Sequence, residues 1–303
     1  MNHQRPTGGV DLPEFLALVG DLRPELHRYC SRLTGSVIDG EDVVQDSLAS
    51  AFVALKTLEA APSMRAWLFR IAHNRALDLL RSRALRAAEP LEAAAETPDS
   101  DAADPLEGLM RQEAIRAAVS RFVALPIAQR SVVVLKDVLG HSLVDIAALL
   151  DTTVNAVKGH LARGRTRLKE INAQPPPRAV DRTPSPEIGR FVALFNQRDW
   201  DGLRALLARD VRLKQSAHPV RVGAADVGLF FTIYAKMDLV SLSPAWIEGR
   251  EVVAVFEDRV DPKPSYVMWL EWREGEISFI RDTRYVRYIL AEADLTLDNG
   301  AVR

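Results

Sequence analysis

This chain of 303 residues has very little cysteine: Cys30 is its sole thiol. One thiol can form no intrachain disulfide framework, and it leaves no cysteine-based metal site. Histidine is also sparse, and the six present are scattered without metal-ligand spacing, so no metal or other cofactor is expected. No window approaches the roughly 18 uninterrupted apolar residues of a membrane span. The first fifteen residues, MNHQRPTGGVDLPEF, lack the apolar run of a secretory signal. A cytoplasmic protein without membrane contact is the expectation. Charge of one sign is missing too: 39 Lys and Arg stand against 41 Asp and Glu, a formal net charge of -2. The sum therefore neither favours nor excludes a nucleic-acid partner, and only the distribution of charge is informative.

A hydrophobic content of 48% is ample for packed cores, and the length exceeds that of a typical single domain. Two changes of composition divide the chain. From Ala87 to Glu107 the run AAEPLEAAAETPDSDAADPLE is rich in Ala, Pro and acid, with no sustained apolar stripe, and sets a linker over 89–109. Such a segment reads as a negatively charged linker. From 173 to 186 proline dominates in NAQPPPRAVDRTPSPE and its flanks, which reads as an extended spacer.

The part before the first seam, 10–88, is helical by periodicity. Phe15, Leu18, Val19 and Leu22 share one side of PEFLALVGDLRPELHRYCSRLTG, and Pro24 is expected to bend or restart that helix. Asp39 is the expected cap of a second helix whose apolar stripe is Val44, Leu48, Phe52 and Leu55. A third, SMRAWLFRIAHNRALDLLRSR, follows Pro62 and carries Arg65, Arg70, Arg75, Arg81, Arg83 and Arg86 against a lone Asp78. Trp67, Arg70, Asn74, Asp78 and Arg81 fall on one stripe, a combination of cations, amide and aromatic that suits a separated nucleic-acid strand. An ordinary solvated arginine face with Trp67 in the core is the competing reading.

Between 110 and 172 a helix-turn-helix is legible. Ser142 caps GHSLVDIAALLD with Asp145 as capping-box partner. Asp151 and Thr152 make the turn, Thr153 caps the next helix, and Val154, Val157 and Leu161 pack it down. The opposite face carries Asn155, Lys158, Gly159, Ala162 and Arg163, with Arg165, Arg167 and Lys169 beyond. Lys and Arg bond guanine edges or phosphates, and Asn pairs with adenine, so this helix is fit for a major groove. A basic helix complementing its own C-terminal dipole is the alternative.

Residues 187–295 change character again: two short helices in EIGRFVALFNQRDWDGLRALLARD, then β-type runs VRLKQSA, AWIEGREVVAVFE, SYVMWLEWRE and EISFIRDTRYVRYIL. Helices followed by a mostly antiparallel sheet indicate an α+β domain. Trp246, Trp269, Arg281, Asp282 and Tyr285 are the candidate pocket residues, with His218, Asp226 and Trp272 as further polar or aromatic candidates. No Asp–His pair is evident from the spacing, so no catalytic constellation is expected.

The segments GEDVVQDSLASAF, SMRAWLFRIAHNRALDLLRSR and ALPIAQRSVVVLKDVLGHSLVDIAALLDTTVNAVKGHLARGRTRLKEI, in that order, resemble the extracytoplasmic-function (ECF) sigma factors of bacterial RNA polymerase. The resemblance covers roughly residues 12–171. It implies two all-α helical domains, region two and region four, joined by the acidic linker. It implies core RNA polymerase and promoter DNA as partners, with an anti-sigma factor as a further partner common for such factors. Carried onto this sequence, Asp42, Gln45 and Asp46 would contact polymerase. Asn74 and the loop from Leu58 to Met64 would receive a flipped promoter base, with Arg70, Arg75 and Arg81 on phosphates. Thr153, Asn155, Lys158, Arg163 and Arg165 would engage the upstream element. Asp151 departs from the glycine common in the turn, and Gly159 with Gly164 implies a flexible recognition helix. The C-terminal part resembles the SnoaL-like cone-shaped α+β family, on the strength of FVALFNQRDWDGLRALLARDVRL and the long closing strands. A regulatory, non-enzymatic domain is the implied role; a small-molecule ligand for it is left open. A stand-alone DNA-binding regulator, or an enzyme carried by the cone, are the two other readings.

Overall fold

The computed structural model describes residues 12–55, 63–87, 107–174, 183–216, 218–258 and 263–298. The chain separates into two compact units, Met1–Pro176 and Pro177–Arg303. Most of the acidic segment, most of the proline-rich segment and the residues from Leu58 to Pro62 lie outside the described residues.

The first unit opens with three helices, α1 (Leu12–Thr34), α2 (Val37–Leu55) and α3 (Met64–Ala87). Pro24 does not split α1, which runs unbroken through it. Helix α2 begins earlier than expected. The Ser36 hydroxyl accepts from the Asp39 backbone N–H (3.4 Å), so Ser36 and not Asp39 sits at the start. Asp39, at 5% exposure, instead pairs with Arg83 of α3 at 2.8 Å.

The second group of helices comprises α4 (Glu107–Arg116), α5 (Ile127–Val133), α6 (Leu143–Leu150) and α7 (Val154–Ala173), with a short 3-10 turn at Val119–Ala124. Helix α5 widens into one π-type turn at Val134–Val138, where the Leu139 N–H reaches back five residues to the Val134 carbonyl at 3.0 Å. The two groups share one apolar core, in which Leu26, Tyr29, Phe69 and Ala72 meet Phe122, Val133, Leu135 and Ile146. Arg130 seals the junction. Its guanidinium donates to the Leu33 carbonyl near the end of α1 (2.5 Å) and to the Val123 and Leu125 carbonyls (2.6 and 2.8 Å). Burial pushes its pKa down to about 10, still charged at neutral pH, and the last carbonyls of α1 carry the negative end of a helix dipole that welcomes the cation.

The second unit has α8 (Pro186–Asn196), α9 (Trp200–Arg204), β1 (Leu207–Gln215), β2 (Arg221–Val222), α10 (Ala224–Tyr234), β3 (Ser241–Ile247), β4 (Arg250–Phe256), β5 (Tyr266–Arg273), β6 (Glu276–Asp282) and β7 (Leu295–Leu297). One seven-stranded sheet runs β2-β1-β6-β5-β4-β3-β7, antiparallel except for the β1–β6 pair. Hairpins β3–β4 and β5–β6 turn on Glu248-Gly249 and Glu274-Gly275, each with both residues at positive φ (46° and 81°; 54° and 81°), the twist that matches right-handed strands. Leu242, Val253, Val255, Tyr266, Met268 and Ile280 face Phe191, Phe195, Phe230 and Phe231 of the helices. The α+β organisation is the expected one, with two differences. Helix α10, AADVGLFFTIY, is apolar on most sides and gives no amphipathic signal. The run EISFIRDTRYVRYIL is not one long strand: β6 ends at Asp282, and a 3-10 turn follows at Arg287–Glu292.

Candidate nucleic-acid and polymerase interfaces

The α6–α7 corner is built by its caps. Ser142 accepts from the Asp145 N–H (3.1 Å) and donates to the Asp145 carboxylate (2.6 Å), closing the first turn of α6. Asp151 then takes the left-handed conformation at φ 52°, which a short polar side chain tolerates far better than a branched one. The glycine expected here is therefore replaced by a residue that makes the same turn. Thr153 accepts from the Ala156 N–H (3.1 Å), so its hydroxyl proton remains available to donate. Val157, Leu161 and Leu168 are buried beneath α7, while Thr153, Asn155, Ala162, Thr166, Arg167 and Lys169 are exposed and Lys158 and Arg163 half-buried. That face offers an amide and several cations at the N-terminal half of a capped helix, the presentation a groove-reading helix requires.

Three residues behave differently from expectation. Arg165 does not belong to the open face: its side chain is 13% exposed and clamps Asp137 through two parallel bonds (Nε to Oδ2 2.9 Å, Nη2 to Oδ1 2.6 Å). Gly164 is not there for flexibility. A methyl group on it would lie 2.6 Å from Val133 Cγ2 and 3.3 Å from the Gln129 carbonyl, so its bareness allows α5 and α7 to touch. Gly159 is buried under the folded-back Arg163 guanidinium, not presented to a ligand.

On α3, Arg70, Asn74, Arg75, Asp78 and Arg81 are all exposed, and Trp67 is half-buried against the core. Arg70 donates to the Ala148 carbonyl of α6 (2.8 Å), Arg75 to the Ser50 hydroxyl of α2 (2.9 Å), and Arg81 pairs with Asp78 at 3.4 Å. Among the described part of the loop expected to receive a base, Ser63 is exposed. Beside the stripe His73 accepts or donates to the Tyr29 hydroxyl at 2.8 Å, and burial pushes its pKa down to about 4, so it carries no charge there. On α2, Asp46 is exposed and Asp42 and Gln45 half-buried, along one side of the helix.

The expected pocket of the second unit does not assemble. Register pairs Trp269 with Arg281 on one face of the sheet and Met268 with Asp282 on the other, so alternation separates Arg281 and Trp269 from Asp282. Trp246 lies on β3, three strands from Asp282. Tyr285 is 52% exposed, and its ring lies tilted at 50° against His218 with centroids 4.5 Å apart. A different group converges with Asp282. Gln215 donates to its Oδ2 (2.7 Å) and the Arg284 N–H to its Oδ1 (2.9 Å), while Tyr234 and Tyr266 join hydroxyls at 2.8 Å. Burial pushes the Asp282 pKa up to about 6 and raises both tyrosines. The strand parity of Tyr266, Met268 and Asp282 held the signal for this cluster. Among the described residues no group of His, Cys, Asp and Glu is arranged to hold a metal ion, and no helix is long and apolar enough to cross a membrane.

Two family models and several relatives are similar to this sequence. The family models Sigma-70 region 2 and Sigma-70 region 4 match residues 18–86 and 116–168. ECF RNA polymerase sigma factor SigM of Mycobacterium tuberculosis is 31% identical over 147 residues, covering 48% of this chain and 71% of the relative. The chain belongs to the ECF RNA polymerase sigma factor family. ECF sigma factor SigG of the same organism is 31% identical over 226 residues, and the match takes in 65% of this chain; the chain spans about 60% of that relative's length. The crystal structure of M. tuberculosis SigJ, an extracytoplasmic function sigma factor, is similar over 94% of this chain and 100% of that one, at 20% identity and a TM-score of 0.34.

Proposed function

We propose that this protein binds core RNA polymerase and directs it to promoters, and that its C-terminal unit tunes that activity without catalysing a reaction. The observation that carries the reading is the pairing, within one helical unit, of a capped helix-turn-helix with an exposed Arg70/Asn74/Arg75/Arg81 stripe on α3. A stand-alone DNA-binding regulator needs the first and gives no role to the second.

In this reading α7 enters the major groove upstream, where Asn155 reads an adenine edge, Lys158 and Arg163 take guanine or phosphate, and Thr153 donates to a phosphate. The α3 stripe takes the separated strand downstream. Unstacking a base costs a few kcal/mol, which capture of that base at Asn74 and of its phosphates by the arginines offsets. Asp42, Gln45 and Asp46 meet polymerase. Their effect is separable from DNA contact: replacing all three by alanine is expected to abolish pull-down of core polymerase while leaving the helical content of the free protein intact. Retained pull-down would remove α2 from the interface.

The C-terminal unit, whose α+β organisation resembles the SnoaL-like family, supplies a regulatory surface in this reading. Among the described residues, its buried Asp282 with a raised pKa has each oxygen hydrogen-bonded within the protein, to Gln215 and to the Arg284 N–H, which supports a structural role for that acid. Turnover of small carbonyl compounds by the purified chain would contradict the non-catalytic role.

A further inference from the structure

The Asp137–Arg165 pair gives the upstream-reading helix a device that its sequence conceals. Arg165 stands in the middle of α7, between Arg163 and Arg167, where charge alone would assign it to a phosphate. Its guanidinium is instead turned inward onto a carboxylate that is 1% exposed. Asp137 lies in the π-type turn at Val134–Val138, a local widening that carries Asp137 away from a regular helical position. The two parallel bonds fix both the distance and the angle between that turn and α7, because a planar fork on a carboxylate has one good geometry. On the same stretch of α7, Gly164 removes the side chain that would push Val133 and Gln129 away. A glycine that permits contact and an ion pair that fixes its orientation therefore sit at adjacent positions.

We infer that Asp137 and Arg165 are positioning residues that set the angle at which α7 presents Asn155, Lys158 and Arg163 to DNA, and that Arg165 makes no phosphate contact. This rests on the DNA-reading role proposed for α7. It makes a prediction of unexpected sign. Asp137 is an acid close to a DNA-binding surface, so by charge alone its removal should tighten binding. If it holds the reading helix in place, its removal loosens binding.

The test uses the full chain assembled with core polymerase, and the duplex that this wild-type assembly selects from a randomised library. Asp137→Asn is expected to weaken affinity for the selected duplex about tenfold. The slope of log K against log salt should stay as in the wild type, because no phosphate contact is lost. Arg165→Lys keeps the charge and loses the fork, so it should weaken binding similarly, again at constant slope. Arg167→Gln, on the exposed face, is the contrast: its slope should fall by about 0.9. Tighter or unchanged binding by Asp137→Asn, or wild-type binding by Arg165→Lys, overturns the inference. Should Asp137→Asn lower the melting temperature below the assay, Arg165→Lys decides alone. A wild-type assembly that selects no duplex overturns the DNA-reading role itself, and this inference with it.

Discussion

At the scale of single residues, capping chemistry is what the sequence displays most openly. Ser142, Asp145 and Thr153 do in three dimensions what their spacing announces, because an N-cap is decided by neighbours within four positions. The two glycines of α7 were opaque for the opposite reason: what fills the space beside them comes from elsewhere. They give predictions of opposite sign. Gly164→Ala gains helix propensity but drives its methyl group into Val133, and should destabilise the protein by about 1–3 kcal/mol. Gly159→Ala meets only the movable tip of Arg163 at 3.3 Å and should be neutral or stabilising by up to ~1 kcal/mol. Thermal melting of the two variants reads both. Asp282 gives a pH prediction. Its folded pKa of about 6 lies above the unfolded value near 4, so the folded state binds the proton more tightly. Its contribution is therefore favourable below pH 4, lost as pH rises from about 4 to 6, and flat above. Two units correspond to about 3 kcal/mol. The stability difference between wild type and Asp282→Asn should move against the wild type by an amount of that order across this window; a pH-independent difference would show that burial does not govern the carboxyl.

At the scale of elements, amphipathic segments were readable and uniform ones were not. Helix α3 announces itself by an arginine stripe opposite Leu68, Phe69, Ala72 and Ala76, all buried. Helix α10 is apolar on most sides, so periodicity cannot separate it from a buried strand. The failed pocket has a similar origin. Trp269, Arg281 and Asp282 look like one constellation in a sequence, and a period of two divides them between opposite faces. The start of α2 shows local competition: Ser36 and Asp39 can each cap, and Asp39 pairs with Arg83 of α3 instead. The function proposed for α3 is tested at this scale. Asn74→Ala should reduce open-complex formation about tenfold, as permanganate reactivity of melted thymines reports, without altering affinity for core polymerase. A loss of polymerase affinity would make Asn74 part of a different surface.

At the scale of the whole molecule, helices first and a sheet domain afterwards were legible from composition and periodicity. The union of both helical groups around one core was not. It depends on Arg130 reaching the Leu33 carbonyl and on Phe69 meeting His141 edge-on at 5.1 Å, and neither residue looks unusual in its own helix. Removal of residues 177–303 should leave polymerase association intact and change promoter-directed output at least severalfold, a regulatory role that equal output from both forms would exclude. The most direct measurement of the central proposal is transcription by purified core polymerase on a library of genomic fragments, with and without the full chain, followed by mapping of RNA 5′ ends. The account predicts a discrete set of new start sites, each preceded by two sequence elements at fixed spacing. Start sites identical to those of polymerase alone would contradict it.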